Sequence, residues 1–297
     1  MTIRETLVRG TGLLTIPCPQ SHIDTPALDA ALLMAETLDT NKAELIIRGE
    51  ENISDADSEK FFRLLERRRG GECVAYILGR REFRGLSFIV NYHVLVPRPD
   101  SETLIEAALE HIDLRQEFSS SRPELCKSLS VLDLCTGSGA LAISLKNERP
   151  FLSVTASDIS SGALDIAVIN AARLLDAASV SFIKSDLFKN ITRGEKFNII
   201  ISNPPYVPSG ELESLSPEIR REPRIALDGG GDGLELIQKI ILQAPLHLHP
   251  HGLLLLEADT KQMPAIRTIL ENRGFGDLRL YKDLAGRERV ISAEINS

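Results

Sequence analysis

The chain has 297 residues, more than one compact domain usually holds, and 43% of them are hydrophobic, so two domains with real cores are expected and disordered or fibrous classes are excluded. A formal net charge of −8 argues against a protein that holds nucleic acid mainly through its phosphates, because that mode needs a basic footprint. Cys18, Cys73, Cys126 and Cys135 are scattered without a Cys-x-x-Cys pair, and neither a membrane-spanning apolar run nor a signal sequence is visible. A cytoplasmic protein without a disulfide framework, a zinc site or membrane contact is the expectation.

The first eighty or so residues read as short helices. Thr25-Pro26 places a capping hydroxyl before a proline at the first helical position, and Leu28, Leu32, Met34, Ala35 and Leu38 follow. A second helix starts at Ser54, with Asp57 three residues on, runs through Phe61, Phe62, Leu64 and Leu65, and stops at Gly70-Gly71. Arg67-Arg68-Arg69 closes it, where cations complement the helix dipole. From Gly79 to Val96 the texture changes: Phe83, Leu86, Phe88, Val90, Val94 and Val96, interrupted by Gly85 and Asn91, predict a hairpin over about 81–99 that links two domains. Pro97-Arg98-Pro99 fixes an extended exit, and Asp100 or Ser101 is expected to cap a helix through Leu104, Ile105, Ala108 and Leu109. Phe118 to Pro123 reads as a polar loop.

The remainder, to residue 297, alternates strand and helix, the pattern of a parallel sheet covered on both faces. Strands are predicted at Ser130–Leu134, Leu152–Ser157, Val180–Lys184, Phe197–Ser202 and Leu253–Glu257, with helices starting near Ala140, Ser161, Gly233 and Gln262. Two further strands, Leu278–Tyr281 and Arg289–Ala293, are joined by a connection too short for anything but a hairpin, so the last strand runs antiparallel to its neighbour.

Val131 to Leu134 runs into Cys135-Thr136-Gly137-Ser138-Gly139 and then a helix, and glycines there allow close backbone approach to a ligand held at the helix N-terminus. The next strand ends at Asp158, close to twenty residues on, where a carboxylate can accept both hydroxyls of a ribose. Asp186 ends the third strand on the same edge and can reach an adenine amino group, with Leu187 packing on the ring. The loop specifies adenosine but not which adenosine, so a nicotinamide enzyme competes at this stage. Leu227 to Gly233 lacks the Lys and Ser/Thr of a phosphate loop and reads as a flexible connection, and His247, His249 and His251 are not expected to hold metal.

Ile199-Ile200-Ile201-Ser202 reads as a buried strand that Pro204-Pro205 must stop, holding Asn203 at a carboxyl end, where open α/β sheets bind ligands. An Asn amide, a proline carbonyl and the ring of Tyr206 make a clamp for a planar nitrogen group, an amide or an amino-base.

Taken together, Ala75-Tyr76-Ile77-Leu78-Gly79, Glu82-Phe83, Gly85, Phe88, Val90, Pro97-Arg98-Pro99-Asp100-Ser101-Glu102, Leu132 to Gly139 and Asn203-Pro204-Pro205-Tyr206 closely resemble the release-factor glutamine methyltransferases, over nearly the whole chain. The clamp motif alone is shared with adenine-N6 and guanine-N2 methyltransferases; the hairpin and Pro-Arg-Pro segment narrow the match. The resemblance implies a seven-stranded class I, Rossmann-like S-adenosylmethionine-dependent fold behind a small helical domain. It implies methylation of the glutamine nitrogen in the Gly-Gly-Gln motif of class-1 peptide chain release factors, without direct nucleic-acid binding. Cofactor contacts are implied at Cys135, Thr136, Gly137, Ser138, Gly139, Asp158, Asp186, Leu187 and Asn203, and substrate contacts at Asn203, Pro204, Pro205 and Tyr206. Residues 1–80, which lack both motifs, are expected to hold the protein substrate. The chain departs from the family at Cys135 and Leu187, where a glycine or a bulky ring is common, and at Ala258-Asp259, where a glycine is common. A base methyltransferase, a nicotinamide oxidoreductase and a non-catalytic translation-factor-binding module are the competing classes.

Overall fold

The structure, a computed structural model, describes residues 1–18, 21, 23–119, 129–176 and 180–295, except the side chains of 116–119. Cys126 and residues 120–123 of the expected polar loop lie outside them. Two compact units divide the chain, residues 1–80 with 213–222, and residues 81–212 with 223–297.

The first unit contains helices α1 (Ile3–Thr15), α2 (Pro26–Thr37), α3 (Lys42–Ile47), α4 (Asp55–Arg69) and α5 (Val74–Leu78). Thr2 and Glu5 close a capping box at the start of α1, and the Ser54 hydroxyl accepts the Asp57 N–H at the start of α4. Ile3, Leu14, Leu33, Met34, Phe61 and Leu65 form the core. One expectation is corrected. Thr25 makes no cap: its hydroxyl instead pairs with the Asp29 carboxylate, 3.0 Å away, one turn into α2. Arg68 lies in the last turn of α4 as expected, and it is also buried and paired: it is 4% exposed, 2.6 Å from Asp29 and 2.7 Å from Glu218. A buried guanidinium needs such partners, since desolvating an unpaired one is prohibitive.

The second unit opens with strands β1 (Arg80–Phe83) and β2 (Leu86–Ile89), whose Phe83 and Phe88 are buried in a cluster with helix α6 (Glu102–Ser119). Val94 and Val96 are buried without being strand, and α6 extends into the stretch predicted as loop, taking in Phe118 and Ser119. Next come β3 (Ser130–Leu134), α7 (Ala140–Glu148), β4 (Ser153–Asp158), α8 (Ser161–Leu174), β5 (Val180–Lys184), β6 (Phe197–Ser202), α9 (Glu235–His247), β7 (Leu248–Glu257), α10 (Met263–Asn272), β8 (Phe275–Lys282) and β9 (Glu288–Ile295). The seven-stranded sheet has the order β5-β4-β3-β6-β7-β9-β8, with β9 antiparallel to both neighbours and the other pairs parallel.

Alternation along β3 and β6 feeds two cores. Val131, Ile199 and Ile201 face α6 and α7; Leu132, Leu134 and Ile200 face α9 and α10. Both faces are therefore apolar, which is why these strands read as near-continuous hydrophobic runs. The strand order reverses direction at β3, between β4 and β6, and it is there that an open parallel sheet leaves a crevice at its carboxyl edge.

Candidate active site

Parallel register aligns three strand ends. Leu134 lies opposite Ser157 on one side and Ser202 on the other, so the next residues, Cys135, Asp158 and Asn203, emerge side by side. They border a cleft of about 810 Å³, partly open to solvent, also lined by Gly137, Asp186, Leu187 and Pro205.

The glycine loop is braced from below. Asp133 is fully buried; its Oδ2 accepts the Thr136 hydroxyl at 2.6 Å and the Ala142 N–H at 3.2 Å, and burial pushes its carboxyl up to about 7. The Ser138 carbonyl accepts the Asn170 side-chain N–H at 2.9 Å. Thr136, Ser138 and Gly139 thus shape the loop without lining the cleft, while Cys135 and Gly137 reach its surface. Cys135 and Leu187 adopt left-handed φ values of 60° and 49°, costly for residues with a Cβ, at the two turns where the chain leaves β3 and β5. Burial holds the Cys135 thiol well above its ordinary pKa.

Asp158 accepts the Gly137 N–H at 2.9 Å through Oδ2 and the Ser160 N–H at 2.8 Å through Oδ1. Burial raises its pKa, and the backbone donors pull the other way. A carboxylate has about four lone-pair sites, so it can still accept a pair of vicinal hydroxyls from the cleft. Asp186 and Leu187 line the same wall. A glycine loop, a two-oxygen acceptor and an apolar side chain arranged around one cleft fit an adenosyl group.

At the end of β6 the Asn203 Nδ2 donates to the Ser101 hydroxyl at 3.0 Å, leaving Oδ1 as the free end of the amide. Asn203 and Pro205 line the cleft, and Pro204 and Tyr206 are not among its lining residues. Burial raises the Tyr206 phenol, and the nearby Glu257 carboxylate adds to the shift. Ser101 belongs to a short 3₁₀ turn, Pro99–Ser101, and its hydroxyl is taken by Asn203 and Glu257. The Asp100 carboxylate pairs with Arg289 at 3.2 Å and Arg287 at 3.3 Å. Capping of α6, expected of one of these two, is not where either side chain goes.

The stretch Leu227 to Gly233 is not a loose connection. The Val207 N–H donates to the Leu227 carbonyl at 2.9 Å, and the Gly229 N–H donates to the Val207 carbonyl at 2.8 Å. A Cβ on Gly229 would stand 2.7 Å from the Tyr206 Cα, and one on Gly233 2.2 Å from the Tyr206 carbonyl oxygen. These glycines let one backbone seat directly on another. Asp259 and Gln262 form a capping box, from which Gln262 Nε2 also donates to the Tyr206 carbonyl at 2.9 Å. The Ala258-Asp259 departure thereby supports the clamp's last residue.

His93, Val94 and Leu95 line the cleft too, as do Ile225, Ala226 and Leu236. Sequence carries little signal for them, because they lie in loops and short turns with no motif of their own, or, for Leu236, in the first turn of α9. His247 stacks on Phe188 at 4.8 Å, and His251 Nδ1 lies 2.8 Å from Glu294. Among the described residues no cluster of His, Cys, Asp and Glu could hold a metal ion, and no helix is long and apolar enough to cross a membrane.

Solved structures share this fold. The T. thermophilus 16S rRNA N2 G1207 methyltransferase, in complex with AdoMet and guanosine, is 21% identical, over 73% of this chain and 50% of that one, with a TM-score of 0.50. The hMettl16 catalytic domain, 13% identical, matches over 82% and 83% of the two chains with a TM-score of 0.54. Sheet order, glycine loop and strand-end acid define a class I S-adenosylmethionine-dependent methyltransferase. Residues 19–79 match the PrmC N-terminal domain and residues 118–232 the methyltransferase small domain. Release factor glutamine methyltransferases from Burkholderia pseudomallei (39% identical; 91% of this chain, 92% of the relative), Moorella thermoacetica (35%; 99% and 98%) and Neisseria gonorrhoeae (40%; 89% and 92%) align almost end to end. The chain belongs to the release factor glutamine methyltransferase family.

Proposed function

We propose that the protein methylates the side-chain nitrogen of the glutamine in the Gly-Gly-Gln motif of class-1 peptide chain release factors, and so tunes translation termination. The observation that carries this reading is the polarity of Asn203. With its Nδ2 donating to Ser101, its Oδ1 is left as an acceptor on the cleft that Gly137 and Asp158 also border. An acceptor is what a primary amide N–H requires.

S-adenosylmethionine, when bound, supplies a methyl group on a positively charged sulfur. Its adenosyl part is held by the loop Cys135 to Gly139, by Asp158 at the ribose, and by Asp186 and Leu187 at the base. Asn203 then has the harder task. An amide nitrogen shares its lone pair with the carbonyl, with a rotation barrier of ~18 to 20 kcal/mol in the related peptide bond, and attack requires giving up part of that resonance. Acceptors aimed at both amide hydrogens, Asn203 Oδ1 and the Pro204 carbonyl, favour the positive charge that develops on nitrogen. Pro205 lines the cleft beside that amide, and orientation contributes further. The proton shed afterwards goes to water.

The helical unit holds the release factor in this reading. Val8, Leu28, Ile46 and Ile47 are exposed apolar residues there, and Val8 and Ile46 line a groove with Arg4, Leu7 and Leu45 that suits a protein partner. Incubation with S-adenosylmethionine and a class-1 release factor, followed by mass spectrometry, should show one added methyl on the glutamine of Gly-Gly-Gln and none when that glutamine is replaced. A methyl on a nucleic-acid base, with the release factor untouched, would overturn the proposal.

A further inference from the structure

Glu257 ends β7 and is 1% exposed. One of its carboxylate oxygens accepts from the Ser101 hydroxyl, while Oε2 is buried with no hydrogen-bond partner among the described residues. Ser101 in turn accepts from Asn203 Nδ2 at 3.0 Å. The three side chains form a line from the interior to the cleft, and residues 102 apart in sequence meet in it. Nothing in the reading above uses Glu257.

Hydrogen-bond polarity makes the line directional. An ionised carboxylate only accepts, so the Ser101 O–H must point at Glu257; the Ser101 oxygen is then free only to accept, and Asn203 must offer it Nδ2–H. The cleft receives Oδ1 by elimination. When Glu257 is protonated its own O–H can donate to Ser101, the Ser101 proton can turn to Asn203, and an amide rotated by half a turn would present its NH₂ to the cleft, a donor facing a donor.

We propose that Glu257 is a positioning residue for methyl transfer, acting through Ser101 to keep Asn203 Oδ1 toward the substrate amide. This rests on the clamp reading given above. Burial is the main reason the Glu257 carboxyl is pushed up to about 7, with the Ser101 hydrogen bond opposing it. The charged groups around Glu257 come from each element that packs there: Arg98 and Asp100 beside the 3₁₀ turn, Arg289 on β9, and Tyr206 after β6. Arg289 lies 3.2 Å from Asp100 and 3.3 Å from Asp283. Turnover should therefore rise with pH across the ionisation of Glu257.

The test compares wild type, Glu257→Gln, Ser101→Ala, Ser101→Thr and Asn203→Ala on an intact release factor, with kcat, KM, S-adenosylmethionine affinity and melting temperature measured from about pH 5.5 to 9. The expected result is an acid limb in the wild-type kcat profile that Glu257→Gln and Ser101→Ala both lose. Ser101→Ala should lower kcat by roughly 10- to 100-fold, the scale for losing an orienting partner behind a functional ligand, with cofactor affinity unchanged. Ser101→Thr, which keeps the hydroxyl, should retain the limb. The Ser101→Ala/Glu257→Gln double variant should be no worse than Ser101→Ala, as for residues acting as one unit. A limb retained in either single variant, or wild-type kcat in Ser101→Ala, would overturn the inference while leaving the clamp intact. Wild-type kcat in Asn203→Ala would instead remove the clamp reading itself.

Discussion

Replacing Asp158 with alanine isolates the cofactor side of the cleft. Its oxygens accept the Gly137 N–H at 2.9 Å and the Ser160 N–H at 2.8 Å, with a further backbone hydrogen bond from Ile159, and the remaining acceptor capacity serves the ribose. A hydrogen bond to a charged group contributes about 1.5 to 3 kcal/mol net, and two sharing one carboxylate overlap, so a loss of about 2 to 4 kcal/mol is expected. That is roughly a 30- to 1,000-fold weaker Kd, read directly by calorimetry with S-adenosylmethionine. Because the variant also strips acceptors from these loop N–H groups, its melting temperature is measured in parallel and affinities are compared where both proteins are folded. The pH dependence supplies an internal check. Burial raises the Asp158 pKa, so its acceptor form is lost as pH falls through a value above the ordinary Asp range, and wild-type affinity should weaken there while the alanine variant stays flat. Unchanged affinity in a folded variant would refute the assignment.

Asn203→Ala should lower turnover by roughly 100- to 1,000-fold with a smaller change in cofactor affinity, and Asn203→Asp, which still accepts, should keep more activity; equal loss in both would point to a donor role. Gly233→Ala puts a Cβ 2.2 Å from the Tyr206 carbonyl oxygen at a φ of +77°, so it should lower both melting temperature and kcat, whereas Gly210→Ala, with open space around it, should change neither. If the two glycine variants behave alike, the seating of loop on clamp is immaterial. Arg68→Met leaves the Asp29 carboxylate buried and unpaired and should cost about 3 to 5 kcal/mol in urea unfolding, and a loss below about 1 kcal/mol would contradict the buried pairing.

What was legible in the sequence was whatever lies next to a strand end. Asp158 ends β4 and Asn203 directly follows β6, and the apolar runs that mark those strands locate them within a residue. Strand limits were less visible where composition misleads: β7 starts at Leu248 and carries His249-Pro250-His251 before its apolar part, so only Leu253 onward reads as strand. Helix α1, with Gly10 and Gly12 inside it, has little intrinsic helix signal and depends on packing beneath Phe61 and Leu65. Ser101, Glu257 and the Gly229 and Gly233 seat were not legible as site residues, because each acquires its role only from a partner brought in by the sheet. The buried pairing of Arg68 was not legible for the same reason, its nearest partner being 39 residues away.

The helical unit is not one continuous length of chain. Residues 213–222 belong to it, so the polypeptide passes between the units at 80, again at 212 and again at 222. Glu218 in that excursion holds Arg68, and Arg221 donates to the Gly70 carbonyl. Cutting after residue 80 therefore does not release a portable module: the remainder keeps a stranded segment between its clamp and the Leu227 to Gly233 stretch. A graft that exchanges substrate preference between two such enzymes must move both pieces together, and insertions or deletions in 213–222 will be felt in the stability of a unit that, by sequence position, ended more than a hundred residues earlier.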